Sequence, residues 1–195
     1  MTAPLRSAAP KRPASGTRGA ATLLAVYVVL LVWLVVFKLH APHVGDPSER
    51  AIKLVPFVRS GDAGASAAWE VAANFAIFAP LGLYLGILMP AWSWVRLTAV
   101  LAATSLALES AQYVLAVGKS DATDVLVNTA GGLAGVVLCA LVRRALGERA
   151  GVVLTRFLAV GTVVVVLAGA LLLSGPRHSP PAAPDCASAC DVPGG

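Results

Sequence analysis

The sequence predicts an all-α fold, a polytopic membrane helix bundle of about five transmembrane helices, with the N-terminus cytoplasmic and the C-terminus extracytoplasmic. Three observations predict it. Of the 195 residues, 57% are hydrophobic and only 13% charged, against about 25% charged in an ordinary soluble domain. The apolar residues fall in runs of about 20, the length that crosses a bilayer as helix. The basic residues sit at the ends of those runs, so the net charge of +5 reads as membrane orientation. No basic face is formed, which argues against a nucleic-acid partner.

Residues 1–19 carry Arg6, Lys11, Arg12 and Arg18 without an acid, among Pro, Ala and Ser; they read as a disordered basic cytoplasmic tail. The first helix covers residues 20–39. Its length and the lack of a clear small-residue cleavage site after it favour a retained helix over a signal peptide. The connection that follows holds Pro42, Gly45, Pro47, Gly61 and Gly64. Its apolar middle, from Ile52 through Pro56 to Val58, is too short to span and is expected to be interfacial or re-entrant.

Helix two is predicted over residues 69–89. Pro80 removes a backbone donor inside it, and Gly82 and Gly86 form a small-xxx-small pair. Helix three follows over 94–117, and the short turn from Gly118 to Asp121 makes helix four, over 121–142, its antiparallel neighbour. Residues 143–174 supply a cytoplasmic basic turn at Arg143 and Arg144 and a fifth helix. Residues 175–195 are rich in Pro and Ala and read as disordered. Cys186 and Cys190 lie there, either as a disulfide or as incidental thiols.

Polar side chains at membrane depth cost roughly 2.5–3.5 kcal/mol per charged group on insertion scales. This chain nonetheless keeps several. Ser105, Glu109 and Gln112 share one face of helix three, Asp121, Asp124 and Asn128 one face of helix four, and Glu70 and Asn74 one face of helix two. At about 1.5 Å per residue, Glu109 lies roughly 12 Å and Asn128 about 10 Å below the outer ends of their helices. The economical reading is one cluster in the outer half of the membrane, open to the extracytoplasmic side, beneath a loop carrying Pro56 and Phe57.

Simpler roles compete. Asp121 followed by Asp124 suits a helix start, where side-chain oxygens accept from free N–H groups. Asn74, Gln112 and Asn128 can serve by hydrogen-bonding between helices. Glu109 has no cap role in mid-helix. Desolvated beside Asp124, it is a candidate general acid or base, with Asp124 as its partner. Gly131, Gly132 and Gly135 lie inside helix four, where they read as close packing and not as a phosphate loop. His40, His43 and His178 show no ligand spacing, so no metal is expected, and no motif calls for a cofactor.

The residues from Leu31 to Leu39, the segment Leu54-Val-Pro-Phe57 and the stretch Asn74-Phe-Ala-Ile-Phe-Ala-Pro-Leu-Gly82 resemble the VanZ family. The strongest part is Glu109-x-x-Gln112, Gly118-x-x-Asp121-x-Thr123-Asp124 and Asn128-Thr129-x-Gly131-Gly132-x-x-Gly135. The likeness covers residues 20–142. It departs at Lys53, where Asn is common, and at Lys119, where many members carry Arg. The resemblance implies a multi-pass protein of the cell membrane and envelope associated with reduced susceptibility to glycopeptides such as teicoplanin. Asn74, Glu109, Gln112, Lys119, Asp121, Asp124 and Asn128 are the ligand-binding candidates. A lipid headgroup, a lipoglycopeptide or a lipid-linked cell-wall precursor is the expected ligand, and a small intramembrane enzyme acting on such a molecule is the alternative.

Overall fold

In the computed structural model the described residues are 15–38, 40–53, 55–56, 68–118 and 120–174. Five long helices dominate: α1 (Ser15–Val36), α2 (Ala68–Leu88), α3 (Trp94–Leu115), α4 (Ala122–Leu146) and α5 (Ala150–Ser174). Two segments of two residues each, β1 (Ile52–Lys53) and β2 (Ser120–Asp121), pair in parallel, Ile52 with Ser120 and Lys53 with Asp121. The helical expectation therefore holds with one small sheet added.

Helix ends differ from the sequence reading in several places, and α1 ends at Val36, three residues short of the expected 39. Ser15–Gly19, assigned to the basic tail, form the first turns of α1. Helix α3 stops at Leu115 because Ala116 turns left-handed, with φ 54°. Helix α4 runs through Arg143 and Arg144 to Leu146, and Gly147, at φ 55°, closes it by donating to the Arg143 carbonyl. The two arginines thus occupy its last turn, where a cation interacts favourably with the helix dipole. The expected tails at 1–14 and 175–195, with Cys186 and Cys190, lie outside the described residues, as do Lys119 and Phe57.

The helices alternate in direction, so α2 and α4 run parallel and form the closest pair. Glycine explains the approach. A Cβ on Gly82 would collide with the Gly132 carbonyl, one on Gly131 with that of Phe75, and one on Gly135 with that of Ala79. Phe75 and Ala79 are four apart, as are Gly131 and Gly135, so a row of carbonyls on α2 beds onto a row of bare Cα atoms on α4. Gly132 takes the Leu101 side chain of α3, and a Cβ added to Gly86 would come within 2.9 Å of the Cys139 side chain. Around this seam Leu31, Phe78, Tyr84, Leu101 and Cys139 are fully enclosed. Helix α2 continues through Pro80 without interruption. The Tyr27 hydroxyl of α1 donates to the Ile77 carbonyl beside it, which supplies a donor near the gap in the ladder.

Helix α5 turns back at residues 147–149 and packs along α1, where Gly169 lies against the Trp33 ring. Tyr84 and Thr162 join α2 to α5 through their hydroxyls, 3.3 Å apart. By contrast, Gly161 faces open space. Gly161→Ala is expected to change stability by no more than about 0.5 kcal/mol in a detergent unfolding curve.

Among the described residues, three helical stretches are long and apolar enough to cross a membrane: Gly19–Val36, Ala68–Leu88 and Ala122–Leu171, the last covering both α4 and α5. Helix α3 is not among them. Its polar residues Ser105, Glu109 and Gln112 are buried against the other helices, while Val95, Leu106 and Val114 stay exposed.

Candidate functional site

The loop after α1 packs onto the bundle where it is described. It crosses the ends of α3 and α4 and is bonded to both. Gly45 N donates to the Leu115 carbonyl at 2.9 Å, and the Arg50 guanidinium donates to the Val114 carbonyl at 2.9 Å. These are final-turn carbonyls of α3, which lack partners within the helix. Arg50 also lies 5.7 Å from the centre of the Tyr113 ring. Earlier in the loop, Asp46 caps a short 3-10 turn. The Ser48 N–H and hydroxyl hold its carboxyl below the usual carboxylate range.

Lys53 is the residue that sequence reasoning missed. It is 3% exposed, and its Nζ lies 3.0 Å from Asp121 Oδ2. The other carboxylate oxygen, Asp121 Oδ1, accepts from Thr123 N at 2.8 Å and caps α4. The Asp121 N–H in turn donates to Glu109 Oε2 at 2.9 Å. One carboxylate thus begins α4 and pairs with the loop cation, while a second receives its backbone. A burial signal was available in the sequence: Lys53 stands between apolar neighbours in the segment expected to lie closest to the membrane surface. Its partner, 68 positions away, had no local signature.

The expected single cluster separates into three groups. The first is the ion-paired node of Lys53, Asp121 and Glu109. The second is an internal bridge, in which Asn128 Nδ2 donates to Ser105 Oγ at 2.9 Å and both residues are fully buried. The third lines a cavity of about 220 Å³ between the C-terminal end of α1, the first turns of α2 and the start of α4. Lys38, Glu70, Asn74, Gln112 and Asp124 line it, with Leu34, Val35, Trp69, Ala73 and Ile77 as its apolar wall. Asp124 accepts a hydrogen bond from the Asn74 side chain, and Lys38, Glu70 and Asp121 lie within electrostatic reach of it.

Gln112 connects these groups. Its Nε2 donates to the Val35 carbonyl of α1 at 2.8 Å, which ties α3 to the cavity wall. Three buried acceptor oxygens, Glu109 Oε1, Gln112 Oε1 and Asn128 Oδ1, have no hydrogen-bond partner among the described residues. Glu109 and Gln112 are each 2% exposed and Asn128 is 0% exposed. Acceptors so enclosed carry a desolvation cost unless a donor reaches them. The glycines Gly82, Gly86, Gly131, Gly132 and Gly135 lie in the helix seams described above. Among the described residues, no group of three or more His, Cys, Asp or Glu side chains is placed to hold a metal ion.

The Asn128–Ser105 bridge gives a direct prediction. Ser105→Ala leaves the buried amide nitrogen without its acceptor. A loss of about 0.6–1.7 kcal/mol is expected, the range of interhelical hydrogen bonds in membrane bundles, read from unfolding of the purified protein in detergent. An unchanged midpoint would show that the amide finds another partner.

Comparison with known proteins bears on the family of the chain. The sequence profile of the VanZ/LLP1 family matches residues 24–143, which takes in most of α1 and α4, all of α2 and α3, and the three polar groups. The chain is 34% identical over 129 residues to Protein VanZ of Enterococcus faecium, covering 65% of this chain and 77% of that protein. No solved structure matches it significantly. The matched segment coincides with the helices that build the glycine seam and the cavity, and on that ground the chain belongs to the VanZ/LLP1 family.

Proposed function

We propose that this protein crosses the cell membrane five times and uses the α1–α2–α4 cavity, facing the extracytoplasmic side, to bind an amphipathic envelope molecule. The observation that carries the reading is the lining of that cavity. One cation, Lys38, and two acids, Glu70 and Asp124, share an opening with a wall of Leu34, Val35 and Ile77. Such a mixture suits a polar or zwitterionic head attached to an apolar chain, because each part meets a surface of its own kind. A lipid headgroup, a lipid-linked cell-wall precursor and a lipoglycopeptide all have that form. The resemblance to the VanZ family implies the context of glycopeptide susceptibility, teicoplanin in particular, which supports this reading.

Orientation follows from charge. Arg96, Arg143, Arg144 and Arg149 gather at the bundle end opposite the cavity, at the helix ends flanking residues 89–93 and 147–149. By the positive-inside rule that end is cytoplasmic. Lys38, Arg50 and Lys53 sit at the cavity end, in company with Asp46, Glu70, Asp121 and Asp124. Helix α3 crosses with its polar face turned inward and Leu106 and Val114 outward.

Binding of a lipid-linked disaccharide-peptide precursor, and of teicoplanin, to the full-length protein in nanodiscs tests the proposal. Glu70→Gln and Asp124→Asn are each expected to weaken binding of the true ligand by about tenfold, the effect of losing one charge-assisted hydrogen bond. Wild-type affinity in both variants would remove the cavity from consideration. The enzymatic alternative needs Glu109 and Asp124 to act on one substrate. Asp124 lines the cavity, whereas Glu109 receives the Asp121 N–H. A deletion strain whose envelope lipids change, and are restored by wild type but not by Glu109→Gln, would favour chemistry over binding.

A further inference from the structure

A second cavity, of about 290 Å³, opens at the opposite end of the bundle, between the C-terminal turn of α2, the start of α3 and the last turns of α4. Met89, Pro90, Trp92 and Trp94 form its rim, Gly86, Leu97 and Cys139 its floor, and Arg143 one side. We propose that this cavity holds the phosphate-bearing headgroup of an anionic phospholipid in the inner leaflet.

Four features carry the assignment. Arg143 is the one charged side chain among the described residues lining the cavity, so an anion entering it meets no carboxylate. The guanidinium is fixed there by donation from Nη2 to the Ile87 carbonyl at 3.2 Å, which leaves its other N–H donors available; Arg is the side chain best matched to phosphate oxygens. The cavity also abuts the first turn of α3, where Ser93 caps the Arg96 N–H and the positive end of that helix dipole offsets the negative ends of α2 and α4. Trp92 and Trp94, the latter 54% exposed, are residues that settle at the level of lipid headgroups. The contrast with the outer cavity is chemical. Among the described residues, that cavity offers two acids and a lysine, whereas this one offers a cation amid aromatic and apolar surface. Basic pockets between helices on the cytoplasmic side are a recurrent setting for anionic headgroups. The inference rests on the membrane-spanning reading above, but not on what the outer cavity binds.

The test uses the tryptophans of the cavity as reporters. Full-length protein carrying Trp33→Phe and Trp69→Phe, so that Trp92 and Trp94 remain, is reconstituted into phosphatidylcholine vesicles. A minority of the lipid is brominated in its acyl chains, as phosphatidylglycerol in one series and phosphatidylcholine in the other. Quenching by the phosphatidylglycerol series is expected to correspond to about fivefold enrichment beside these tryptophans, the effect of one well-placed Arg. Arg143→Gln should abolish the preference and Arg143→Lys should retain most of it. Equal quenching in the two series, or a preference that survives Arg143→Gln, overturns the proposal. Loss of the preference to inorganic phosphate at constant ionic strength would reassign the cavity to small anions and overturn the lipid assignment. A variant retaining only Trp69 separates the two readings. If Trp69 is quenched while Trp92 and Trp94 show no preference, the membrane reading stands and this site falls. If no tryptophan is quenched by either lipid, both fall.

Discussion

Gly135→Ala is expected to destabilise the bundle by about 3 kcal/mol or more, at the upper end of what overpacking costs. The added methyl is small, but it would collide with the Ala79 carbonyl and approach the Leu83 N to 3.0 Å. Both are backbone atoms of α2, so no rotamer change relieves the collision and the helices have to separate. Separation propagates along the seam, because Gly131 and Gly82 depend on the same spacing against Phe75 and Gly132. Gly82→Ala and Gly131→Ala should behave alike, and pairs of these changes should be less than additive, since the first already opens the contact. Gly161→Ala, in open space, is the reference. The measurement is a detergent unfolding midpoint. A Gly135→Ala protein as stable as the reference would mean that the α2–α4 contact is looser than described.

The second large effect concerns the buried ion pair. Lys53→Met is expected to cost about 3–5 kcal/mol, because it strands the Asp121 carboxylate, 12% exposed, without its cation. The loss should be largely reversed in Lys53→Met with Asp121→Asn. Asn keeps the α4 cap, being as good an N-cap as Asp, while removing the charge. Lys53→Met with Asp121→Ala should recover less, by about 1 kcal/mol, for want of that cap. Double-mutant unfolding thus separates the ionic role of Asp121 from its capping role. If the single Lys53→Met variant unfolds like wild type, Asp121 has another source of compensation and the pair is incidental.

The features legible in the sequence were those encoded locally. Runs of apolar residues announce helices through length alone, and glycines four apart within one run announce a close seam through periodicity. The polar faces on α3 and α4 follow from helical spacing, and in the structure Ser105, Glu109, Gln112 and Asn128 are all buried. What spacing could not supply was how those faces divide between partners. Glu109 sits one turn from both Ser105 and Gln112, yet it engages the backbone of Asp121, Ser105 engages Asn128, and Gln112 reaches α1. Those choices depend on rotation of one helix against another, which no single helix encodes. Lys53 was harder still. Its burial depends on a parallel pairing across two intervening helices, α2 and α3, and a lysine in a loop ordinarily reads as solvated. Helix ends erred for a related reason: Ala116 adopts φ 54° because Gly45, Arg50 and the turn to Ser120 stabilise that ending, not because of its own propensity.

The pairing of Lys53 with Asp121 also imposes a schedule on synthesis. The two residues are 68 positions apart, so at about 5–20 residues per second roughly 3–14 s separate their emergence from the ribosome. In the orientation proposed above, the loop reaches the far side during that interval before its partner does, while α2 and α3 are still being threaded. The β1–β2 tie can close only after the turn at Ser120 has followed. It is therefore a latch set late, on a bundle whose helices are already in place, and a nascent chain halted after α3 would carry the loop unfastened. Protease accessibility of that loop in stalled chains, compared with released protein, would time the event.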